Sequence, residues 1–404
     1  MDLRSGCPFW VLQAGEQAAW PDLEGDARAE VVVIGGGITG ALAAWRLARE
    51  GFDTLLLDRR EAGLGSTAAS TALLQYELDT PLSELRDLVG REAADRAYRR
   101  CVGAFDELEE VLDLLGERAG YARRQSLYLA TESSELAALR REYEARAGLG
   151  IEVELLDRRD LLQRFGIDRP GAILSALGGE LDAYTLTLRL LESAAAHGAR
   201  IRTGERSEVV AVEAGAELVL RTAGHATLRA RSLVFATGYE FAPALPAPKV
   251  NLASTYALAT APTGRDPPWP GRAIIWETAR PYLYFRTLAD GRIIVGGADE
   301  PVADPARRDA RIEDKARALI ASARRVFPEL ELTADCAWAG VFAGTPDGMP
   351  YIGRVPGLPG AFASLAYGGN GITFGVLASG ILLDLCRGTP HPDAELFGLD
   401  RPVP

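Results

Sequence analysis

Histidine, lysine and cysteine are all scarce in this chain, and each scarcity closes off a class of chemistry. The three histidines, His197, His225 and His391, fall at a helix end, in a turn and in a proline-rich tail. None belongs to a motif, so an acid–base mechanism centred on imidazole is not expected. The four cysteines, Cys7, Cys101, Cys336 and Cys386, lie far apart with no C-x-x-C pair, which removes zinc and thioredoxin-like readings, and no metal site is expected. Cys101 falls on the apolar stripe of Val102, Phe105, Leu108, Leu112 and Leu115, where a thiol behaves as a small buried hydrophobe. Lys249 and Lys315 are the two lysines among 44 basic residues, a bias that reads as composition rather than function. No uncharged apolar run approaches the roughly 18 residues of a membrane span, and MDLRSGCPFW has no apolar stretch of signal-peptide length. A cytoplasmic protein without an integral membrane segment is expected. The formal net charge of −12 repels phosphate backbones, so nucleic acid is not an expected partner.

What is present is a chain of 404 residues, long enough for two or three domains at about 150 residues each. It is 48% apolar and 25% charged, which excludes bulk disorder, and its 43 glycines show no collagen period. Residues 31–34 (VVVI) read as a buried parallel strand, residues 41–50 as a helix closed by Gly51, and residues 54–57 as a second strand ending in Asp58. Together they form a complete strand–helix–strand opening. The stretch 81–116 predicts two amphipathic helices. Further helices are expected at 134–147, 186–196, 312–326 and 372–386. Strands are expected at 200–203, 209–213, 217–222, 232–236, 273–276, 282–287, 292–297 and 361–365. The proline-rich stretch 243–271 reads as a crossing between domains. No tandem repeat and no low-complexity linker appears, so the domains are expected to interleave.

Gly35, Gly37 and Gly40 satisfy G-x-G-x-x-G between the first strand and the first helix. The first glycine permits the tight turn, the second lets the backbone approach a pyrophosphate, and the third permits close packing of the helix. Phosphates then meet backbone N–H groups at the helix N-terminus, around Ile38 and Thr39. Asp58, 18 residues beyond Gly40, is placed to accept hydrogen bonds from ribose hydroxyls, with Arg59 beside it. Strand, helix and acid in register point to a dinucleotide, without choosing between FAD and NAD. Downstream, residues 234–239 (VFATGY) carry Ala236, Thr237 and Gly238 at a strand end.

Residues 338–353 read WAGVFAGTPDGMPYIG, and residues 366–375 read AYGGNGITFG ahead of the last helix. With the stretches 31–58, 65–74, 181–204, 234–239 and 282–297, the chain resembles the D-amino-acid oxidase superfamily of FAD oxidoreductases. That superfamily includes glycine oxidase, sarcosine oxidase and the γ-glutamylputrescine oxidases. The resemblance implies an α/β fold: a two-dinucleotide-type, Rossmann-like FAD-binding domain interleaved with a mixed, largely antiparallel substrate domain. The FAD-binding part is expected at 28–81, 182–243 and 338–395, the substrate domain at 82–181 and 244–337, with 1–27 as an N-terminal extension. A second loop, Gly368, Gly369, Asn370, Gly371, Ile372 and Thr373, is implied to close over the flavin. Gly65, Ser66, Thr67, Ser70, Thr71, Val210 and Gly344 are further implied cofactor contacts. The positions at which some relatives attach flavin covalently are Gly340 and Ala69 here, which implies non-covalent FAD.

The resemblance also says what is missing from the substrate site. Phe342 and Gly369 stand where relatives carry carboxylate-binding arginines, and Thr373 stands near a corresponding lysine. The lysine that assists oxygen in sarcosine oxidase falls at about Ile294. Tyr282 matches a substrate-contacting tyrosine, with Tyr284 two residues on along the same face and Trp276 on the next strand. Arg286 is the cation left to meet a carboxylate, and Glu277 a carboxylate to meet an ammonium. No catalytic side chain is assigned, because the flavin N5 carries the chemistry. The expected function is FAD-dependent oxidation of a C–N bond in an amine or amino-acid-like small molecule, giving an imine. The alternatives are a dehydrogenase of a 2-hydroxy acid or polyol phosphate, and a flavin-binding subunit of a larger complex. The electron acceptor is left open among O2, a quinone and a protein.

Overall fold

The computed structural model describes the chain apart from residues 1, 16, 18, 241–244, 246–248, 266 and 404. The described residues build an eight-stranded and a ten-stranded sheet, and the chain passes repeatedly between them. The architecture is the α/β one the sequence implies: a Rossmann-like sheet interleaved with a larger mixed sheet.

The smaller sheet starts from strand Ala27–Ile34, whose Val31, Val32 and Val33 are fully buried. It lies between Thr54–Asp58 and Thr227–Gly238, parallel to both, and Arg200–Thr203 extends the parallel set. Ala361–Leu365 joins the other side in parallel, followed by antiparallel Tyr351–Arg354. A run of Val and Leu buried on both faces is what a parallel sheet covered by helices requires. Helix Ile38–Arg49 has ten of its 12 residues buried, because helices Ala183–Ala196 and Gly371–Arg387 flank it. Its alanines let both neighbours approach closely.

The larger sheet is mostly antiparallel. Its middle strands are Asn251–Thr260, Ile293–Glu300 and Leu283–Thr287, with Ala334–Gly344 outside the first of them. Helix Ile312–Val326 covers one face through Leu319, Ile320 and Ala323. The opposite face meets the nucleotide-type half.

Several sequence expectations shift. The stretch 243–271 contains Asn251–Thr260, a central strand rather than an open crossing. Its Asn and Ala residues carry weak strand propensity, and packing between two neighbouring strands overrides it. The expected boundary at 243/244 lies outside the described residues. Residues 338–344, expected with the FAD-binding part, run in the larger sheet as the end of Ala334–Gly344. The N-terminal 1–27 is not a loose extension either. Arg4–Gly6 pairs with Gly340, Ala339 and Trp338, and buried Trp10 donates its Nε1–H to the Ser70 carbonyl at 2.7 Å. Strands Ala122–Ala130 and Gly171–Glu180, paired with each other, were not expected from sequence. Cys101 is buried as expected, Cys386 is buried too, and Cys7 is exposed.

A buried ionic cluster joins the helices of the larger half to the segment that borders both sheets. Arg146, fully buried, reaches Glu142 Oε1 at 2.7 Å and Glu77 Oε1 at 3.3 Å. Glu142 also accepts the Leu82 and Ser83 N–H groups at 3.0 and 2.8 Å, capping helix Leu82–Val89, whose N-cap Pro81 supplies no side-chain cap. Arg146→Met leaves two buried carboxylates without a counter-charge. It is expected to cost about 3–5 kcal/mol of stability, read as a lower urea midpoint. A loss below about 1 kcal/mol would show that the cluster does not hold these elements together.

Candidate active site

A cavity of about 450 Å³ runs between the two sheets and is lined by residues of both. One end is built on the glycine turn. Gly35 has φ of +110°, and a Cβ there would stand 2.4 Å from the Ala236 carbonyl oxygen. A Cβ on Gly40 would stand 1.8 Å from the Gly35 carbonyl oxygen, so only glycine lets the helix start against the turn. The Ile38 N–H donates to Thr67 Oγ1 at 3.0 Å, which brings the hydroxyl segment 65–71 against the helix N-terminus. Asp58 accepts the Gly36 N–H at 2.6 Å and the Arg60 N–H at 2.8 Å, so it fixes the loop as well as facing the cavity. Burial raises its pKa, against those two hydrogen bonds and the nearby Arg60 charge. Arg59 pairs with Glu208 at 2.9 Å and with Glu240, and Arg60 pairs with Glu240 at 2.8 Å.

The other end is aromatic and acidic. Tyr282, Tyr284, Phe342, Thr255, Asp79 and Asp299 line it. The second glycine loop is stitched to the chain just before Asp79. The Gly369 N–H donates to Asp79 Oδ2 at 2.9 Å, Asn370 Nδ2 to the Glu77 carbonyl at 2.5 Å, and Thr373 Oγ1 to the Gln75 carbonyl at 2.9 Å. The Tyr239 hydroxyl donates to the Gly368 carbonyl at 2.9 Å. The Tyr282 hydroxyl donates to Asp79 Oδ1 at 3.4 Å. Burial raises the pKa of both Tyr282 and Tyr284, so their hydroxyls stay protonated and serve as donors rather than bases.

Most of the expected cofactor residues meet in this cavity: Gly35, Gly37, Ile38, Thr39, Asp58, Arg59, Gly65, Ser66, Thr67, Ser70, Thr71, Ala236, Thr237, Gly238, Gly369, Gly371 and Ile372 all line it. Others do not. Val210 is 47% exposed, and its neighbour Val209 faces the cavity instead, because the strand alternates. Gly40 is a packing position. Gly344 is off the wall at its strand end, and Asn370 and Thr373 act as stitches rather than lining. Gly340 and Ala69 both line the cavity and touch, a Cβ at 340 meeting the Ala69 Cβ at 3.0 Å. Neither offers a thiol or imidazole, and Cys336 is not on the wall.

Two expected substrate residues are corrected. Trp276 is buried one strand away, stacked on Tyr128 at 3.9 Å with its Nε1–H on Ser126 Oγ. Arg286 is buried behind the wall, where its Nη1 donates to the Thr71, Ala72 and Leu181 carbonyls at 3.2, 2.9 and 2.8 Å. Burial pushes its pKa down to about 10, and it remains a cation committed to backbone. Glu277 is paired with Arg169 at 3.1 Å. Sequence reasoning missed Arg60, Val209, Tyr239, Glu240, Thr255, Asp79, Asp299 and Tyr367, all on the wall. Tyr239 and Glu240 directly follow the A-T-G stretch and were within its reach; the acids carried no motif.

The fit to FAD rests on the donor set. One helix N-terminus and its hydroxyls suit phosphates, Asp58 suits a ribose, and a second glycine loop faces the far end. A family model described as FAD dependent oxidoreductase matches residues 30–385. The chain is 26% identical to a probable oxidoreductase OrdL of Rhizobium meliloti (strain 1021), over 95% of this chain and 89% of that one. It is 25% identical to gamma-glutamylputrescine oxidoreductase of Escherichia coli (strain K12), over 96% and 90%. The crystal structure of glycine oxidase from Geobacillus kaustophilus shares the fold with a TM-score of 0.76 at 22% identity, covering 93% of this chain and 100% of that one. Among the described residues no helix is long and apolar enough to cross a membrane.

Asp58→Ala is expected to weaken FAD binding about 10- to 100-fold, since a hydrogen bond to a charged group contributes about 1.5–3 kcal/mol. The measurement is the dissociation constant of FAD from reconstituted apoprotein. Equal affinity in the two proteins would reduce Asp58 to a strand-end residue.

Proposed function

The chain belongs to the FAD dependent oxidoreductase family, and on that premise we propose that it oxidises a C–N bond of an amine that needs no α-carboxylate. FAD, which the glycine turn, Asp58 and the hydroxyl segment 65–71 would hold, would supply a two-electron acceptor for the hydride lost from the carbon beside the substrate nitrogen, whose lone pair then forms the imine double bond. Water then converts the imine to a carbonyl compound and a smaller amine. The residues of the chain bind and orient. Tyr282 and Tyr284, with ring centroids 5.7 Å apart, present faces and protonated hydroxyls to the substrate, and Phe342 closes the apolar side.

The observation that carries the reading is the state of Arg286. A carboxylate placed against Phe342 needs a cation, and an unpaired buried charge is costly. Arg286 cannot turn to it without abandoning three buried backbone carbonyls. The cations that do line the cavity, Arg59 and Arg60, stand beside Asp58 and are paired with Glu208 and Glu240. The same disposition disfavours a hydroxy acid or polyol phosphate, which would want that positive charge at the aromatic end.

Reduction of the bound flavin under anaerobic conditions tests this. A carboxylate-free amine such as 1-aminobutane is expected to reduce it faster than glycine, sarcosine or D-alanine. Arg286→Lys is expected to lower thermal stability and leave that order unchanged. Fast reduction by the amino acids that disappears in Arg286→Lys would move the anchor to Arg286 and overturn the reading.

A further inference from the structure

Asp299 reaches the cavity through an irregularity in the larger sheet. Strand Ile293–Glu300 pairs with Asn251–Thr260 in the register Tyr256 with Gly297 and Ser254 with Glu300, so Thr255 alone faces both Ala298 and Asp299. Ala298 takes φ of +56°, a left-handed value unusual for a residue with a Cβ. Regular alternation from Val295, which packs toward helix Ile312–Val326, would send Asp299 to that helix and Glu300 to the cavity. The extra residue exchanges them. Glu300 meets Lys315 at 2.8 Å and Arg311 at 2.5 Å on the helix side, and Asp299 turns inward.

Once inside, Asp299 makes no direct ion pair among the described residues, and the charges of Lys315 and Arg280 act on it only from a distance. Among the described residues its Oδ1, closed off from solvent, has no hydrogen-bond partner. Burial and the Asp79 charge push its pKa up to about 6, against the Thr255 hydroxyl beside it. Asp79 spends one lone pair on the Gly369 N–H and one on Tyr282. The cations nearby are committed elsewhere. Arg280 lies 5.0 Å above the Tyr282 ring and donates to the backbone carbonyls of Thr278, Ala279 and Asp79. Lys315 is held by Glu300 and the Ala298 carbonyl. A side chain on residue 369 would crowd this end, its Cβ standing 3.2 Å from Asp79 Oδ1 and 3.4 Å from the Tyr282 hydroxyl. The result is a cavity end with two carboxylates and two tyrosine rings, in which neither acid forms an ion pair among the described residues, an environment that recognises an organic cation.

Resting on the reading that this cavity takes an amine, we propose that the substrate carries a second, cationic nitrogen, held by Asp299 and Asp79 beside Tyr282 and Tyr284, and so belongs to the diamine class. The nitrogen held there is not the one oxidised. A carboxylate keeps a neighbouring amine protonated, and an ammonium has no lone pair with which to form the imine bond as the hydride leaves. The acid pair therefore binds one end of the substrate and leaves the other, neutral nitrogen for oxidation.

The test uses the FAD-loaded protein and three probes of equal chain length, 1,4-diaminobutane, 1-aminobutane and 4-aminobutanoate. Two quantities are read anaerobically: the half-saturating concentration for perturbation of the flavin spectrum, and the rate of flavin bleaching. The diamine is expected to bind at least about tenfold more tightly than the monoamine, and the amino acid more weakly than the diamine, because with its ammonium on the acid pair its other end carries a carboxylate in place of the second nitrogen. In Asp299→Asn the ratio of diamine to monoamine affinity is expected to fall to about twofold or less. Asp79→Asn is expected to narrow it as well, with some loss of FAD retention, since Asp79 also holds the glycine loop. Equal binding of diamine and monoamine by the wild-type protein overturns the inference, whatever the variants do. A preference that survives in Asp299→Asn and Asp79→Asn overturns it too. Asp299-dependent binding of the diamine with no bleaching by any amine supports the cation site and removes the C–N reading. Bleaching by all amines without preference does the reverse.

Discussion

Helix Ile38–Arg49 begins so close to the preceding strand end that a Cβ on residue 40 would lie within 1.8 Å of the Gly35 carbonyl. That contact sets the geometry of the cofactor end. It places the helix N-terminus over the sheet edge, lets Thr67 meet the Ile38 N–H, and brings Asp58 under the loop to take the Gly36 N–H. Gly35, in the left-handed region, closes the same contact from the other side against Ala236. Larger side chains at these two positions would open the turn, and the hydroxyls and carboxylate that surround it would lose their common focus.

The aromatic and acidic end of the cavity depends on charge rather than on close backbone approach. Segment 73–79 leaves the nucleotide half, contributes the short strand Leu73–Leu74 to the larger sheet, and then supplies Glu77 to the Arg146 cluster and Asp79 to the glycine loop. One short stretch thus anchors a buried ion cluster and a wall of the cavity. Its carbonyls at Gln75 and Glu77 hold Thr373 and Asn370, which fix where the last helix starts. The two sheets are joined at the site itself, and Leu74, Tyr76 and Leu78 bury this segment in the core, so the cavity wall and the core are held by the same residues.

The legible parts of the fold were those where one local signal decides the outcome. The glycine triplet, the valine run and Asp58 act within a single strand–turn–helix, and the bounds expected for Arg200–Thr203, Val209–Glu213, Ile312–Val326 and Ala361–Leu365 match the structure. The misses share a different cause. Which of Val209 and Val210 faces inward depends on strand parity relative to a neighbour that sequence does not identify. Asn251–Thr260 is a strand because of what lies on either side of it, and its small residues announce nothing alone. Arg286 looked available because the chain does not reveal that Thr71, Ala72 and Leu181 will bring three carbonyls to it. Asp299 was the least legible, since alternation assigns it to the opposite face.

The cost of that last placement bears on function. A carboxylate whose pKa rises on folding destabilises the folded state when ionised. For Asp299, raised to about 6 from the ordinary 3.8, the cost is absent below the lower value and fully present above the higher one. A neutral residue at 299 would avoid it, and a regular strand would send the acid to Lys315 and Arg311, where Glu300 now sits. The structure instead accepts a bulge, a left-handed alanine and an ionised acid facing another acid. Unfavourable backbone and electrostatic terms persist where the surrounding fold imposes them, and they gather at sites whose ligand relieves them. Here the relief is electrostatic and has one sign. A bound cation would lower the pKa of Asp299 and offset its repulsion with Asp79, whereas an anionic ligand would do neither.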